Sequence, residues 1–118
     1  MLDTSPLNAV VERFADRLRA APQSRLQRGA AAEALELARE LSLRAQRLED
    51  PNGEAPARVV PDAGIFTVGD QVAVAGLDLA EALRAAGPRQ GADSAKAPSE
   101  MLDEAVALVE QAEVRAMR

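Results

Sequence analysis

The small size of its apolar side chains is the feature that most limits how this 118-residue chain folds. Alanine is the commonest residue, and Phe14 and Phe66 are the only aromatic residues. Because the free energy of burial scales with the apolar area removed from water, an alanine contributes less than a leucine or a phenylalanine. We therefore expect a single small domain over residues 1–118, with a core that favours association with a second chain.

The sequence lacks the side chains on which most enzymes depend. It contains no histidine, cysteine, tryptophan or tyrosine, which removes the usual general base, the thiolate nucleophile and the preferred zinc ligands. The segment from Gly64 to Gly69 is not a phosphate-binding loop, because Asp70 and Gln71 follow where a lysine and a hydroxyl belong. We predict a non-enzymatic protein that uses no cofactor and no metal.

Two helices are predicted in the first half of the chain. A start signal at Ser5 and apolar residues at three- and four-residue spacing indicate a helix that ends near Ala20. A capping-box pattern from Ser24 indicates a second helix that runs to Glu49, with Gly29 as its weak point. Together they form a helical hairpin.

The period of the pattern changes after Gly64 and favours a β-hairpin. Residues 65–68 and 71–75 are short β-prone runs, and the Gly69–Asp70 pair between them suits a two-residue turn. Neither face of this hairpin is polar, and an isolated two-stranded hairpin is marginal in water. Residues 58–60 are a candidate third strand. The alternative is pairing with the hairpin of a second copy across a two-fold axis.

Seven residues follow from this argument as candidates for an interface. Two of them, Leu35 and Leu43, lie outside the apolar stripe of the second helix, and the others lie on the predicted hairpin. The full set is Leu35, Leu43, Ile65, Phe66, Val68, Val72 and Val74. We expect a homodimer that forms through the second helix, the hairpin edge or both.

The last third of the chain completes an α+β prediction. A capping box at Asp78 and Glu81 predicts a short third helix over residues 79–86. A polar stretch over about residues 87–98 predicts a mobile loop, and Ser99 opens a C-terminal helix. The expected fold class is therefore α+β: a helical hairpin, a two-stranded β-hairpin, a short helix and a C-terminal helix.

An arginine cluster is the strongest polar feature of the sequence. The predicted helical hairpin brings together four arginines that are candidates for anion binding: Arg13, Arg17, Arg25 and Arg28. The alternative is that they form ion pairs with acids of the C-terminal half, including Asp103 or Glu104. The net charge of −5 and the shortage of aromatic rings make nucleic acid an unlikely ligand.

These observations favour an acidic protein-interaction or regulatory protein that acts as a homodimer, with a further protein partner left unidentified. The alternative is a small-ligand or nucleotide-binding module that uses the arginine cluster. The chain has neither a secretory signal nor an apolar run long enough to span a membrane, so the expected location is the cytoplasm. A composition rich in alanine and arginine resembles that of bacteria with GC-rich genomes.

Overall fold

The computed structural model describes residues 2–86 and 97–118, and these residues form helices and loops without a β-strand. The four long helices are α1 (Ser5–Ala20), α2 (Ala31–Glu49), α3 (Val68–Ala86) and α4 (Pro98–Ala116). Two short turns, Gln23–Arg25 and Leu26–Ala30, lead into α2. The predicted α+β fold is therefore wrong, and the described chain is all-helical.

The predicted β-hairpin is the first half of α3. Gly69 and Asp70, which were expected to form the turn between two strands, lie in the first turn of this helix. The buried residues of α3 recur at three- and four-residue spacing: Val68, Gly69, Val72, Ala75, Gly76, Leu79, Ala80, Ala82 and Leu83. One face of this segment packs on other helices. Because that burial stabilises the helix, it outweighs the preference of valine for β-strands.

Two further predictions in this region are also wrong. Asp78 and Glu81, which were expected to cap a short third helix, lie inside α3. Residues 58–60, the candidate third strand, belong to the loop that joins α2 to α3. Because residues 65–75 form no hairpin and the described ranges contain no strand, the predicted pairing of hairpins between two copies is wrong as well.

The loop between α2 and α3 is tied to both helices by side chains. Arg39 of α2 donates from Nε to the carbonyl oxygen of Val60 at 2.9 Å. Gln71 of α3 donates from Nε2 to the carbonyl oxygen of Pro61 at 2.8 Å. The loop therefore lies along the two helices instead of extending into solvent.

The core lies where α3 packs against α1 on one side and against α2 on the other. Helix α4 packs mainly on α1 and α2. Phe14 is fully buried and is surrounded by a core of leucine, valine and many alanines. Small side chains permit close approach of the helix backbones, which is how a chain with so few large side chains still buries a continuous core.

The first two predicted helices are present, with one interruption, but they pack mainly on α3 and α4 and hardly on each other, so the predicted helical hairpin is wrong. Helix α1 has the predicted bounds, and α2 ends at Glu49 as expected. The path from Gln23 to Glu49 is broken at Gly29, which has a φ of 156° and a ψ of −18°. The expected weak point is therefore a kink that only glycine adopts without strain.

A Gly29→Ala variant is expected to lose about 1–2 kcal/mol of unfolding free energy, because a side chain disfavours this backbone conformation. Urea unfolding followed by circular dichroism measures the loss. In a regular helix the same substitution would stabilise the protein by up to about 1 kcal/mol. A gain in stability would therefore contradict the kink.

The predicted mobile loop over about residues 87–98 lies, up to residue 96, outside the described residues. The C-terminal helix expected from Ser99 is present and begins one residue earlier, at Pro98. None of the helices in the two described ranges is long and apolar enough to cross a membrane.

Candidate functional site

The seven predicted interface residues do not form one surface. Val68 and Val72 are buried in the core, at 4% and 0% exposure, on the inner face of α3. Leu35 and Ile65 are half-buried against that core, and Leu43 of α2 is 37% exposed. Four of these five side chains are therefore largely covered by the chain's own helices and loop, whereas Leu43 is exposed.

The other two, Phe66 and Val74, remain exposed beside a residue that the sequence argument missed. Phe66 is 70% exposed, Val74 is 59% exposed and Leu77 is 52% exposed. Val74 and Leu77 are three residues apart on α3 and so share one side of the helix, while Phe66 lies two residues before its first residue. We call this outward surface of Phe66, Asp70, Val74, Leu77 and Arg84 the α3 face.

The charged residues at the two ends of the α3 face, Asp70 and Arg84, each form hydrogen bonds within the chain. Arg19 donates from Nε and Nη2 to Asp70, at 3.0 and 2.7 Å, and both bonds go to Oδ1. At the other end, Arg84 donates from Nη1 to the hydroxyl of Thr4 at 2.6 Å. Oδ2 of Asp70 and the other donors of Arg84 form no hydrogen bond within the described ranges, so both groups keep capacity for a further partner.

A shallow apolar groove lies beside the α3 face, between α3 and the preceding loop. Its volume is about 400 Å³, and its walls include Val60, Pro61, Ala63 and Val74. Gln71 also lines it, and the buried Oε1 of this side chain has no hydrogen-bond partner among the described residues. Because Val74 belongs to both the groove and the α3 face, the two form one continuous surface.

Two of the four predicted anion-binding arginines are held by a buried acid. Arg13 and Arg17 of α1 contact Glu113 of α4 at 2.8 and 3.0 Å, and the Glu113 side chain is only 7% exposed. Burial raises the pKa of Glu113, but hydrogen bonds from both arginines outweigh it, so the pKa lies below its ordinary value. The partner is an acid of the C-terminal half, although neither Asp103 nor Glu104.

The other two predicted arginines lie away from Glu113, beside two further arginines that the sequence did not indicate. Arg25 and Arg28 precede α2, and the C-terminal end of α4 brings Arg115 and Arg118 beside them. These four side chains and Glu33 surround a hollow of about 340 Å³, which we call the arginine hollow. The hollow depends on the packing of α4 near the start of α2, which the sequence pattern does not reveal.

A further charged cluster, around Arg44, is paired within the chain. Arg44 of α2 contacts Glu40 at 2.7 Å and Glu104 of α4 at 3.1 Å, which links the two helices. Within residues 2–86 and 97–118, no group of three acids lies close enough together to hold a metal ion. The α3 face and the arginine hollow are two surfaces of the described chain that keep binding capacity.

The chain matches no protein-family model, and comparisons with curated proteins and with solved structures found no match.

Proposed function

We propose that this chain is a non-enzymatic protein-interaction or regulatory protein that works as a homodimer through its α3 face. The observation that carries the proposal is the spacing of three residues along α3: Asp70, Leu77 and Arg84 follow one another at intervals of seven. Seven residues are close to two turns of an α-helix, so the three side chains lie in line on one side.

This line is complementary to itself when two copies pack with their α3 helices antiparallel. If the two-fold axis passes near Leu77, each Asp70 lies opposite Arg84 of the partner subunit, because both are seven residues from the axis. The unused Oδ2 of Asp70 then accepts from donors of arginine that the chain itself leaves free. The register thus pairs opposite charges at both ends of the contact.

The centre of the same arrangement is apolar. Leu77 meets its own counterpart at the axis, and Val74 lies one turn away in each copy. Both side chains are more than half exposed in the single chain. A second copy would remove both side chains from water. This burial would add apolar area to a chain whose own core consists largely of small side chains.

The setting we propose for this dimer is the cytoplasm, with which the absence of cysteine is compatible. The α3 face is acidic and apolar, with Asp78 and Glu81 beside Val74 and Leu77. Association, and not catalysis, is the activity that such a surface supports.

A Leu77→Asp variant is expected to weaken self-association by roughly 100-fold, because it places a charge at the centre of the contact in both copies. Sedimentation velocity of the wild-type chain should show a dimer at micromolar concentration, and the variant should sediment as a monomer. Circular dichroism should show unchanged helix content, since Leu77 is exposed in the single chain.

Val114→Asp is the matched control, because Val114 of α4 is 61% exposed and lies outside the α3 face. This variant should remain a dimer. Reversing one charge, by Asp70→Arg or by Arg84→Asp, should weaken the dimer, and combining the two reversals should restore it. A wild-type chain that stays monomeric at high micromolar concentration would overturn the proposal, as would equal effects of Leu77→Asp and Val114→Asp.

A further inference from the structure

The arginine hollow differs from the α3 face in being polar and strongly basic. It is formed where the last turn of α4 meets the turns that precede α2. Four guanidinium groups line it, against the single carboxylate of Glu33. In a chain of net charge −5, this is a local concentration of positive charge.

Most of that charge is not neutralised within the chain. Glu33 is already bound by Arg115 at 2.8 Å. Arg25 donates from Nη1 to the main-chain oxygen of Arg118 at 3.2 Å, and the described residues offer no carboxylate side chain to Arg25, Arg28 or Arg118. The four guanidinium groups therefore face one carboxylate side chain, that of Glu33.

The arginines that surround other parts of the molecule provide a contrast. Arg13 and Arg17 share the buried Glu113, and Arg44 lies between Glu40 and Glu104. There, each group of arginines has a carboxylate within contact distance. Arg25, Arg28 and Arg118 line the hollow without a carboxylate side chain of their own, and like charges repel one another, so an anion that entered the hollow would reduce this repulsion.

The shape and chemistry of the hollow select the kind of anion. We infer that the arginine hollow binds a small phosphorylated molecule, with Arg25, Arg28 and Arg118 as donors to its phosphate oxygens. The planar fork of arginine matches phosphate oxygens two at a time. A volume of about 340 Å³ is enough for a diphosphate or a sugar phosphate.

The lining also argues against a nucleobase as the second part of the ligand. Besides the charged groups, the described walls contain only Gly29, Ala30 and Ala116. Without an aromatic ring there is no surface on which a base stacks. Gly29 leaves the wall open, because nothing lies within 4 Å of the place where a Cβ would stand.

Isothermal titration calorimetry with inorganic pyrophosphate at low ionic strength tests the inference. We expect saturable binding with one site per chain, and a rise in melting temperature that follows the degree of saturation. Arg28→Ala should weaken binding about tenfold, and Arg25→Ala combined with Arg28→Ala should abolish the thermal shift. Sodium sulfate at equal ionic strength distinguishes a specific site from general screening.

Arg47→Ala is the matched control, because Arg47 is an exposed arginine near the far end of α2 and is not part of the hollow. It should bind pyrophosphate like the wild-type chain. Without added anion, Arg28→Ala should melt at the same or a slightly higher temperature, since it relieves repulsion. Both substitutions leave the α3 face unchanged, so sedimentation should show the same oligomeric state as for the wild-type chain. If pyrophosphate does not bind, the proposed dimer is therefore unaffected.

Three results would overturn the inference. The first is the absence of any calorimetric or thermal response to pyrophosphate. The second is an equal loss of binding in Arg28→Ala and Arg47→Ala, which would mean that the anion screens charge without occupying a site. The third is tighter binding of single-stranded DNA than of pyrophosphate, with the same dependence on Arg28, because a polymer would then be the preferred ligand.

Discussion

A Gly76→Ala variant is expected to lose about 2 kcal/mol of its unfolding free energy, although alanine is the better helix former. A Cβ atom on Gly76 would lie 2.6 and 2.7 Å from the two γ-carbons of Val11. Both residues are buried where α1 contacts α3, and a β-branched valine has few alternative rotamers in a helix. The two helices must therefore move apart. Urea unfolding monitored by circular dichroism measures the cost.

The Val11→Ala background provides the matched control for this prediction. With the two γ-carbons removed, the same Gly76→Ala substitution fills space and gains helix propensity, so it should be neutral or stabilising by up to about 1 kcal/mol. The sign of the effect thus depends on one neighbour. An equal loss in both backgrounds would show that contact with Val11 is not the reason for glycine at this position.

Gly69 offers a graded comparison on the same face of α3. A Cβ atom there would lie 3.0 Å from the main-chain oxygen of Ala15 and 3.0 Å from Cγ of Arg19. The arginine side chain moves easily, whereas the main-chain oxygen yields only a few tenths of an ångström. We expect Gly69→Ala to cost less than Gly76→Ala, with the melting temperature of each variant as the readout.

These two glycines also explain why the sequence argument failed in this region. Gly69 followed by Asp70 between two valine-containing runs is typical of a hairpin turn. In the structure, Gly69 and Gly76 are seven residues apart on a helix and face α1, so their role is close approach between helices. A local pattern does not distinguish a glycine that turns the chain from one that admits a neighbouring helix.

The first half of the chain was easier to predict because its signals agree with one another. Start signals at Ser5 and Pro6 coincide with an apolar pattern of helical period, and α1 has the predicted bounds. Gly29 was identified as a weak point, but its conformation depends on how the following helix packs. Local signals therefore located the helix, while packing decided the kink.

The binding surfaces were harder to predict than the helices. Phe66 and Val74 are predicted as interface residues of a β-hairpin that is not formed, and Leu77 was missed because the predicted hairpin ends before it. A helical interpretation of α3 would have aligned Asp70, Leu77 and Arg84 from the sequence alone. Arg115 and Arg118, in contrast, join the arginine hollow only through the packing of α4.

An Arg13→Ala/Arg17→Ala double variant is expected to leave the carboxylate of Glu113 buried without a cation. A buried carboxylate that loses its partners costs roughly 3 kcal/mol. The Glu113 side chain is 7% exposed, so water does not replace the lost contacts without movement of α4. Urea unfolding at neutral pH should therefore show one of the largest losses of stability obtainable from two exposed side chains.

Single substitutions should behave differently from the double variant. Arg13→Ala leaves the contact between Arg17 and Glu113, and Arg17→Ala leaves the bidentate contact with Arg13. Each single loss should therefore be much smaller than half of the double loss, because one cation still compensates the carboxylate. Adding Glu113→Gln to the double variant should recover part of the stability, since an amide is less costly to bury than an unpaired charge.

The pH dependence separates this explanation from a simple loss of packing. In the wild-type chain the pKa of Glu113 is lowered, so its stabilising effect is complete above the unfolded pKa of about 4.3 and is lost as the pH falls through the folded pKa. In the double variant both arginines are absent and Glu113 is still buried, so the pKa of Glu113 should rise above its unfolded value. The sign then reverses: the variant should lose stability as the pH rises above about 4.3 through that raised pKa. The difference in unfolding free energy should therefore be largest at neutral pH and shrink on acidification, whereas lost packing would give a difference independent of pH.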